Sequence, residues 1–317
     1  MPSVPSLDGQ FFIYSSEKRL PAFQSGPPPG QRRGYALLVP GLTDGPLGLP
    51  YVELLAERME GLGYSLVQPI LSSSYKGYGI SSLRQDIEEL EELLTHLASA
   101  QSLSPDAPSS NVIFIGHSTG CQDAVFFMAH GRPELRARVR GVVLQGPVSD
   151  REYRETYPET KGLVEHARGL KPEELMPVTA DEAPITAQRF LSLSTKEGED
   201  EMFSSDLSFE ERWALMGHMA SVPTATFLSG ADEYVPPGEG RTPEALAEAF
   251  RSVLIPSGDV PGISPVSQAP GLSAEGPGDS SVSRVHIIEG GSHNLQSEVH
   301  TQEFVSEVEA FVRTLDV

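Results

Sequence analysis

The chain holds a single cysteine, Cys121, in 317 residues, so no intrachain disulfide can form. A fold held without one suits a reducing compartment. Basic residues are scarce: 23 Lys and Arg against 44 Asp and Glu leave a net charge of −21. That deficit argues against nucleic acid or an anionic membrane surface as partner. It favours a neutral or cationic ligand, beside its plain effect of keeping the chain soluble. No apolar run approaches the roughly 20 residues that span a bilayer. Phe11 to Tyr14 is too short for a signal-peptide core, and no basic region precedes it. The expected location is therefore the cytoplasm. No internal repeat is present. The length prior suggests about two domains, although single α/β domains with insertions reach this size.

What the chain does have is Asn111-Val-Ile-Phe-Ile-Gly-His-Ser-Thr-Gly120. The β-branched run Val112 to Ile115 reads as a buried strand, and a helical run starts at Cys121. Between them Gly116-His-Ser-Thr-Gly120 fits G-x-S-x-G. Strand, tight turn and helix are the context in which that pattern means a nucleophile elbow. Glycine is expected at 116 and 120 because a Cβ there would collide with neighbouring backbone. Ser118 is the candidate nucleophile, and Cys121 on the same helix reads as a small core residue.

Other segments alternate in the same way. Gly9–Tyr14 and Arg19–Gln24 read as short strands at a sheet edge, and Tyr35–Val39, Tyr64–Pro69 and Val139–Leu144 as buried ones. Leu49–Leu62 reads as a helix, and Leu83, Ile87, Leu90, Leu94 and Leu97 line one face of a longer one. The other face of that helix is acidic, with Glu88, Glu89, Glu91 and Glu92. Strand–helix alternation predicts a mostly parallel sheet with helices on both faces, with active groups on loops at the carboxyl ends of the strands. The rhythm breaks over 150–219, which is polar and helical in pattern and is expected to be a cap inserted into a core of 1–149 and 220–317. Pro223–Ser229, a helix over Pro243–Leu254, the strand Val282–Ile288 and a closing helix complete the core. Residues 256–281, rich in Gly, Pro and Ser, are expected to form a long surface loop.

A serine hydroxyl needs a base within hydrogen-bond reach, and the base needs a carboxylate behind it. In this class they follow the serine as acid, then histidine. Of eight histidines, only His293 follows a strand through a small-residue loop, Gly290-Gly-Ser292, and comes after every candidate acid. Asp232, on a short loop after Pro223–Ser229, is the favoured acid, with Asp150 as competitor. Glu233 is expected to point to solvent, and Asp123 to point away from the base. The oxyanion needs two backbone donors, expected at the amides of Thr119 and Leu42. His117 is expected to line the pocket. Asp44 is assigned beside it to the substrate region, its carboxylate hydrogen-bonding loop amides. No metal or cofactor is called for.

Gly116-His-Ser-Thr-Gly-Cys-Gln-Asp123 is more particular than G-x-S-x-G. With Gly41-Leu-Thr-Asp-Gly45, Ser72-Ser-Ser-Tyr75, Ile185-Thr-Ala-Gln-Arg-Phe190, Met202-Phe-Ser-Ser-Asp-Leu207 and Ser229-Gly-Ala-Asp-Glu233, it resembles the fungal siderophore-esterase (fusarinine C esterase) family of α/β-hydrolases. The resemblance runs from about Tyr35 to the C-terminus. It implies an α/β-hydrolase fold, the same triad roles for Ser118, Asp232 and His293, and a small-molecule substrate with hydroxamate siderophore esters to be hydrolysed. Glu197, Glu199, Asp200, Glu201 and Asp206 of the cap would then attract cationic substrates. Two alternatives stand beside ester hydrolysis: acyl transfer or lactone opening by the same triad, and a non-catalytic receptor on a hydrolase fold. Oligomeric state is not readable from the sequence.

Overall fold

The computed structural model describes residues 6–99, 103–255 and 282–315. The expected loop over 256–281 lies outside the described residues. Eight strands form one sheet in the order β1-β2-β4-β3-β5-β6-β7-β8. They are β1 (Gln10–Ser15), β2 (Leu20–Ser25), β3 (Gly34–Val39), β4 (Tyr64–Pro69), β5 (Val112–His117), β6 (Val139–Gln145), β7 (Thr224–Ser229) and β8 (Arg284–Ile288). β1–β2 and β2–β4 pair antiparallel, and every pair from β4–β3 to β7–β8 is parallel. This is the mostly parallel sheet expected from the alternation, and it fits the α/β-hydrolase fold that the resemblance implies. β3, β4, β5 and β7 are buried along their whole length, as strands covered on both faces must be. At the edge, β1 leaves Phe11 and Ile13 exposed.

Helices α1 (Val52–Gly61), α2 (Leu83–Ser99), α3 (Gly120–His130) and the short α4 (Pro133–Arg136) connect the first six strands. α1 was expected from Leu49. It starts three residues later because a residue before proline, here Leu49 before Pro50, is pushed out of the helical region. On one face of the sheet, α2 and α3 pack Leu90, Leu94, Val125 and Phe127 over Phe114 and Val142. On the other, α1 contributes Leu55 and Met59, and the closing helix α10 (Glu298–Thr314, numbered last in the chain) contributes Phe304, Val308 and Phe311. Of the acidic residues of α2, Glu89 turns inward. It is fully buried and takes hydrogen bonds from Ser72 N and Oγ, both 2.7 Å, with Lys18 Nζ 3.2 Å away.

Between β6 and β7 lie α5 (Asp150–Arg154), α6 (Thr160–Arg168), α7 (Ala187–Ser194) and α8 (Phe209–Met216), followed after β7 by α9 (Pro243–Leu254). α6 and α7 share a small apolar cluster, with Ala167, Ile185, Phe190 and Leu193 around Tyr78, and Leu42 packs against it. α8 instead sends Trp213 and Met216 into the main core beside Phe250 of α9. A helix pair over the loops that follow β3 and β4 is thus the part of the insertion with its own core.

Of the five acids expected to attract cations, Glu197, Glu199 and Asp206 are exposed, but Asp200 and Glu201 are not. Asp200 and Glu201 are buried, and they pair with Arg189 at 2.5 Å and Arg151 at 2.6 Å. Asp206 also binds Arg151, and Arg154 binds Asp181 at 2.6 Å. Removing one partner of such a buried pair strands the other charge and costs about 3–5 kcal/mol. These carboxylates hold the inserted helices to one another.

Candidate active site

The strand β5 runs straight into the turn at Ser118, whose φ is +53°, in the left-handed region that non-glycine residues seldom occupy. A Cβ on Gly116 would sit 2.3 Å from Gly120 O, and one on Gly120 would sit 2.1 Å from Val39 O. The two glycines are therefore what lets the turn close. Ser118 N donates to Gln145 O at 3.0 Å, tying the turn to the end of β6. The side chain of Ser118 remains partly exposed.

The loop after β3 lies directly against the serine. A Cβ on Gly41 would be 2.6 Å from Ser118 Cβ and 3.1 Å from its Oγ. Among the described residues, neither Leu42 N nor Thr119 N donates to a backbone carbonyl. Thr43 and Leu47 hold φ of +68° and +65°, so this loop keeps its shape at some backbone cost. The two amides without a backbone acceptor thus belong to Thr119, next to Ser118 in the chain, and to Leu42, next to the Gly41 that touches it.

Asp232 and His293 meet. His293 Nδ1 and Asp232 Oδ2 are 2.8 Å apart, and both side chains are buried. The bond leaves Nε2 as the ring nitrogen not held by the carboxylate. Asp150, the competing acid, is turned elsewhere, with its Oδ2 accepting from Gln122 Nε2 at 2.8 Å. Burial pushes its pKa up to about 7, with Asp200 adding to the rise. Glu233 was expected only to face solvent. It is exposed, yet its Oε2 accepts from the backbone N of His293 at 2.8 Å. The Tyr234 ring stands edge-on to His293, with centroids 4.6 Å apart.

His117 does not line the pocket as expected. It is buried behind the His293 ring, centroids 4.9 Å apart, and its Nδ1 bonds Gln145 Oε1. Burial, with the His293 charge adding to it, depresses its pKa to about 3, so this ring stays neutral. Gln145 is the residue that sequence reading missed. Its Nε2 donates to His293 O at 2.9 Å, while its Oε1 also faces Tyr51 OH at 3.3 Å. One fully buried amide thus joins the ends of β5 and β6 to the His293 loop. The only signal for it was a polar residue ending an apolar strand, next to Gly146-Pro147.

Asp44 departs from expectation too. Its backbone N donates to Gly41 O at 3.2 Å and its carbonyl accepts from Tyr75 N at 3.1 Å. Among the described residues no loop amide donates to its carboxylate: Asp44 N and Gly48 N turn to Gly41 O and Gly45 O, and Leu47 N to Gln68 Oε1. Burial raises its pKa, against a smaller opposite pull from His293. Cys121 is fully buried between Gly116 O and Gln145 O, and burial raises its thiol pKa. It packs as a small core residue, as its position suggested.

The family described as "Protein of unknown function (DUF1749)" matches residues 9–313. The chain belongs to that family. It is 29% identical over 260 residues to a UPF0613 protein of Schizosaccharomyces pombe, covering 73% of this chain and 79% of the relative. It is 28% identical over 257 residues to the fusarinine C esterase of Aspergillus fumigatus, covering 65% and 73% of the two chains. Among solved structures, the siderophore hydrolase EstB of Aspergillus fumigatus superposes with a TM-score of 0.71 at 25% identity, over 98% of each chain. The DUF1749 chain is thus an α/β-hydrolase that resembles the fungal siderophore esterases, and the likeness supports an ester hydrolase of that type. No helix among the described residues is long and apolar enough to cross a membrane.

Proposed function

We propose that this protein is a serine hydrolase that cleaves carboxylic esters through an acyl-enzyme. The observation that carries the reading is the 2.8 Å bond between Asp232 and His293 Nδ1, on loops beside the left-handed Ser118. Held by that carboxylate, the imidazole presents Nε2 to the hydroxyl as base. Ser118 Oγ attacks the ester carbonyl and its proton passes to His293 Nε2. The carbonyl oxygen becomes an oxyanion received by the amides of Leu42 and Thr119. As the intermediate collapses, the C–O bond to the alcohol breaks and His293 returns the proton to the leaving oxygen. A water then repeats the sequence on the acyl-enzyme and frees the acid.

In this reading residues 150–219 form the cap, with α6 and α7 over the site. Hydroxamate siderophore esters are the substrates that the similar proteins' names suggest. A net charge of −21 speaks against nucleic acid and anionic membranes as partners, and the lone buried cysteine speaks for the cytoplasm. A fluorophosphonate probe should label the wild type at Ser118, and Ser118→Ala should lose both label and esterase activity. An unlabelled wild type would sink the mechanism. Intact fusarinine-type ester after prolonged incubation, read by mass spectrometry, would reject the siderophore while leaving simpler esters open.

A further inference from the structure

A series of tyrosine rings leads out from His293. The ring of Tyr234 meets the imidazole edge-to-face, centroids 4.6 Å apart. Tyr153 of α5 meets Tyr234 in the same way at 4.9 Å, and Tyr157 meets Tyr153 at 5.6 Å. Tyr234 and Tyr157 are 39% and 45% exposed, so much of this aromatic surface faces water. The hydroxyls of Tyr153 and Tyr157 bond one another at 2.9 Å, which ties the outer two rings together. Helix α5 is itself fixed, because Arg154 lies 2.6 Å from Asp181 and 5.6 Å over the Phe190 ring. Burial raises the Tyr234 pKa, and the carboxylates of Glu233, Asp232, Asp44 and Glu182 add to the rise. Asp232 binds the base and Asp44 sits on the loop against Ser118, so Tyr234 feels charge from both sides of the reacting groups.

In ester hydrolysis the base returns its proton to the leaving oxygen, which must come within hydrogen-bond reach of His293 Nε2. The carbon skeleton of the alcohol then starts beside the imidazole. Of the two described rings in contact with His293, His117 is buried and Tyr234 is exposed. Resting on the hydrolase reading, we infer that Tyr234, Tyr153 and Tyr157 form an alcohol-side subsite for a neutral aromatic ring carried on the leaving group. Aromatic rings prefer edge-to-face or offset contacts with centroids roughly 4.5–7 Å apart, the spacing this series already holds. A ring on the alcohol extends the series by one member where Tyr234 now faces water. Tyrosines braced by one another lose little freedom on binding, so the contact is pre-organised. The surrounding carboxylates of Glu233, Asp44 and Glu182 oppose an anionic ring.

The test compares benzyl acetate with cyclohexylmethyl acetate, which share the acyl group and the ring size. Corrected for their rates of alkaline hydrolysis, kcat/KM should favour the benzyl ester by about fivefold, the size of one aromatic pair. The ratio should fall to near one in Tyr234→Leu and persist in Tyr234→Phe, which keeps the ring without the hydroxyl. Should Tyr234→Leu fail to fold, Tyr153→Leu is read in the same way. A merely structural tyrosine would slow both esters together and leave the ratio alone. A corrected wild-type ratio below about twofold, or one that survives the leucine substitution, would overturn the subsite and leave the hydrolase standing. So would benzyl acetate left intact while p-nitrophenyl acetate is cleaved. If p-nitrophenyl acetate also stays intact, the hydrolase reading falls first and takes the subsite with it.

Discussion

The loops after β6 and β7 each present an acid near His293, yet they have different fates. Asp232 binds the imidazole at 2.8 Å, whereas Asp150 is held by the Gln122 amide at 2.8 Å. Both acids follow adjacent parallel strands, so strand-end position alone does not select the acid that pairs with His293. What separates them is what sits behind each. After β7 the chain turns sharply through Gly230, and Asp232 is brought round to the His293 loop, with Ala231 N bonded to Gly291 O at 2.9 Å. After β6 the chain enters α5, with Ser149 capping the helix by accepting from Glu152 N. Asp150 becomes its first residue and is aimed at α3 instead.

The largest effect should come from exchanging the two acids for amides. Asp232→Asn leaves the shape of the site but offers His293 Nδ1 the wrong partner for the required tautomer, and kcat should fall by roughly 10^4. Asp150→Asn should cost less than about tenfold. Equal losses for the two variants in steady-state ester hydrolysis would break the contrast. Next in size is Gln145→Leu. It removes the buried amide that serves Tyr51, His117 and the His293 carbonyl at once. Leaving such partners unpaired should destabilise the fold by about 2–4 kcal/mol. Because the His293 loop loses its anchor, kcat should fall by about tenfold or more even below the melting range. Thermal melts and kinetics on the same preparation separate the two effects.

The same two acids differ in what they do to stability. Burial raises the pKa of Asp150 from its ordinary 3.8 to about 7. Between those values the folded state binds more protons than the unfolded chain. Stability therefore falls as pH rises from about 4 to about 7. Asp150→Asn removes that titration, so its melting temperature should decline less over this window than the wild type's. A parallel decline would mean that Asp150 titrates as it does in the unfolded chain.

The strands, the elbow and the pairing of Asp232 with His293 were legible because each depends on local pattern: β-branched runs, small residues at fixed offsets, and acid before histidine. Helix α9 was read from Pro243 to Leu254 because Thr242 and Pro243 signal its start and an apolar face runs through it. The failures share a different cause. His117, Gln145, Glu89 and the buried acids of the insertion owe their roles to partners 11 to 148 residues away, and no local period encodes such a partner. In Glu199-Asp-Glu201 the last two acids look solvated until Arg189 and Arg151 are seen to pair with them, while Glu199 stays exposed. Asp44 was misread for a nearer reason: its loop turns Asp44 N and Gly48 N onto its own carbonyls and Leu47 N onto Gln68, which a list of polar residues cannot show.

The smallest effect concerns the neighbour of Asp232. Glu233 is exposed, and its one bond to this site is the acceptance from His293 N at 2.8 Å. Water can replace an exposed acceptor, so Glu233→Ala should lower kcat by only about twofold to fivefold and hardly change stability. Its bond acts on the backbone of His293 and not on the ring. The loss should therefore appear in kcat with KM nearly constant, and Glu233→Gln, which keeps a carbonyl oxygen, should restore most of it. If Glu233→Ala instead matched Asp232→Asn, the two acids of this turn would share the work assigned to one. The contrast between the β6 and β7 loops would then rest on a pair of carboxylates and not on Asp232 alone.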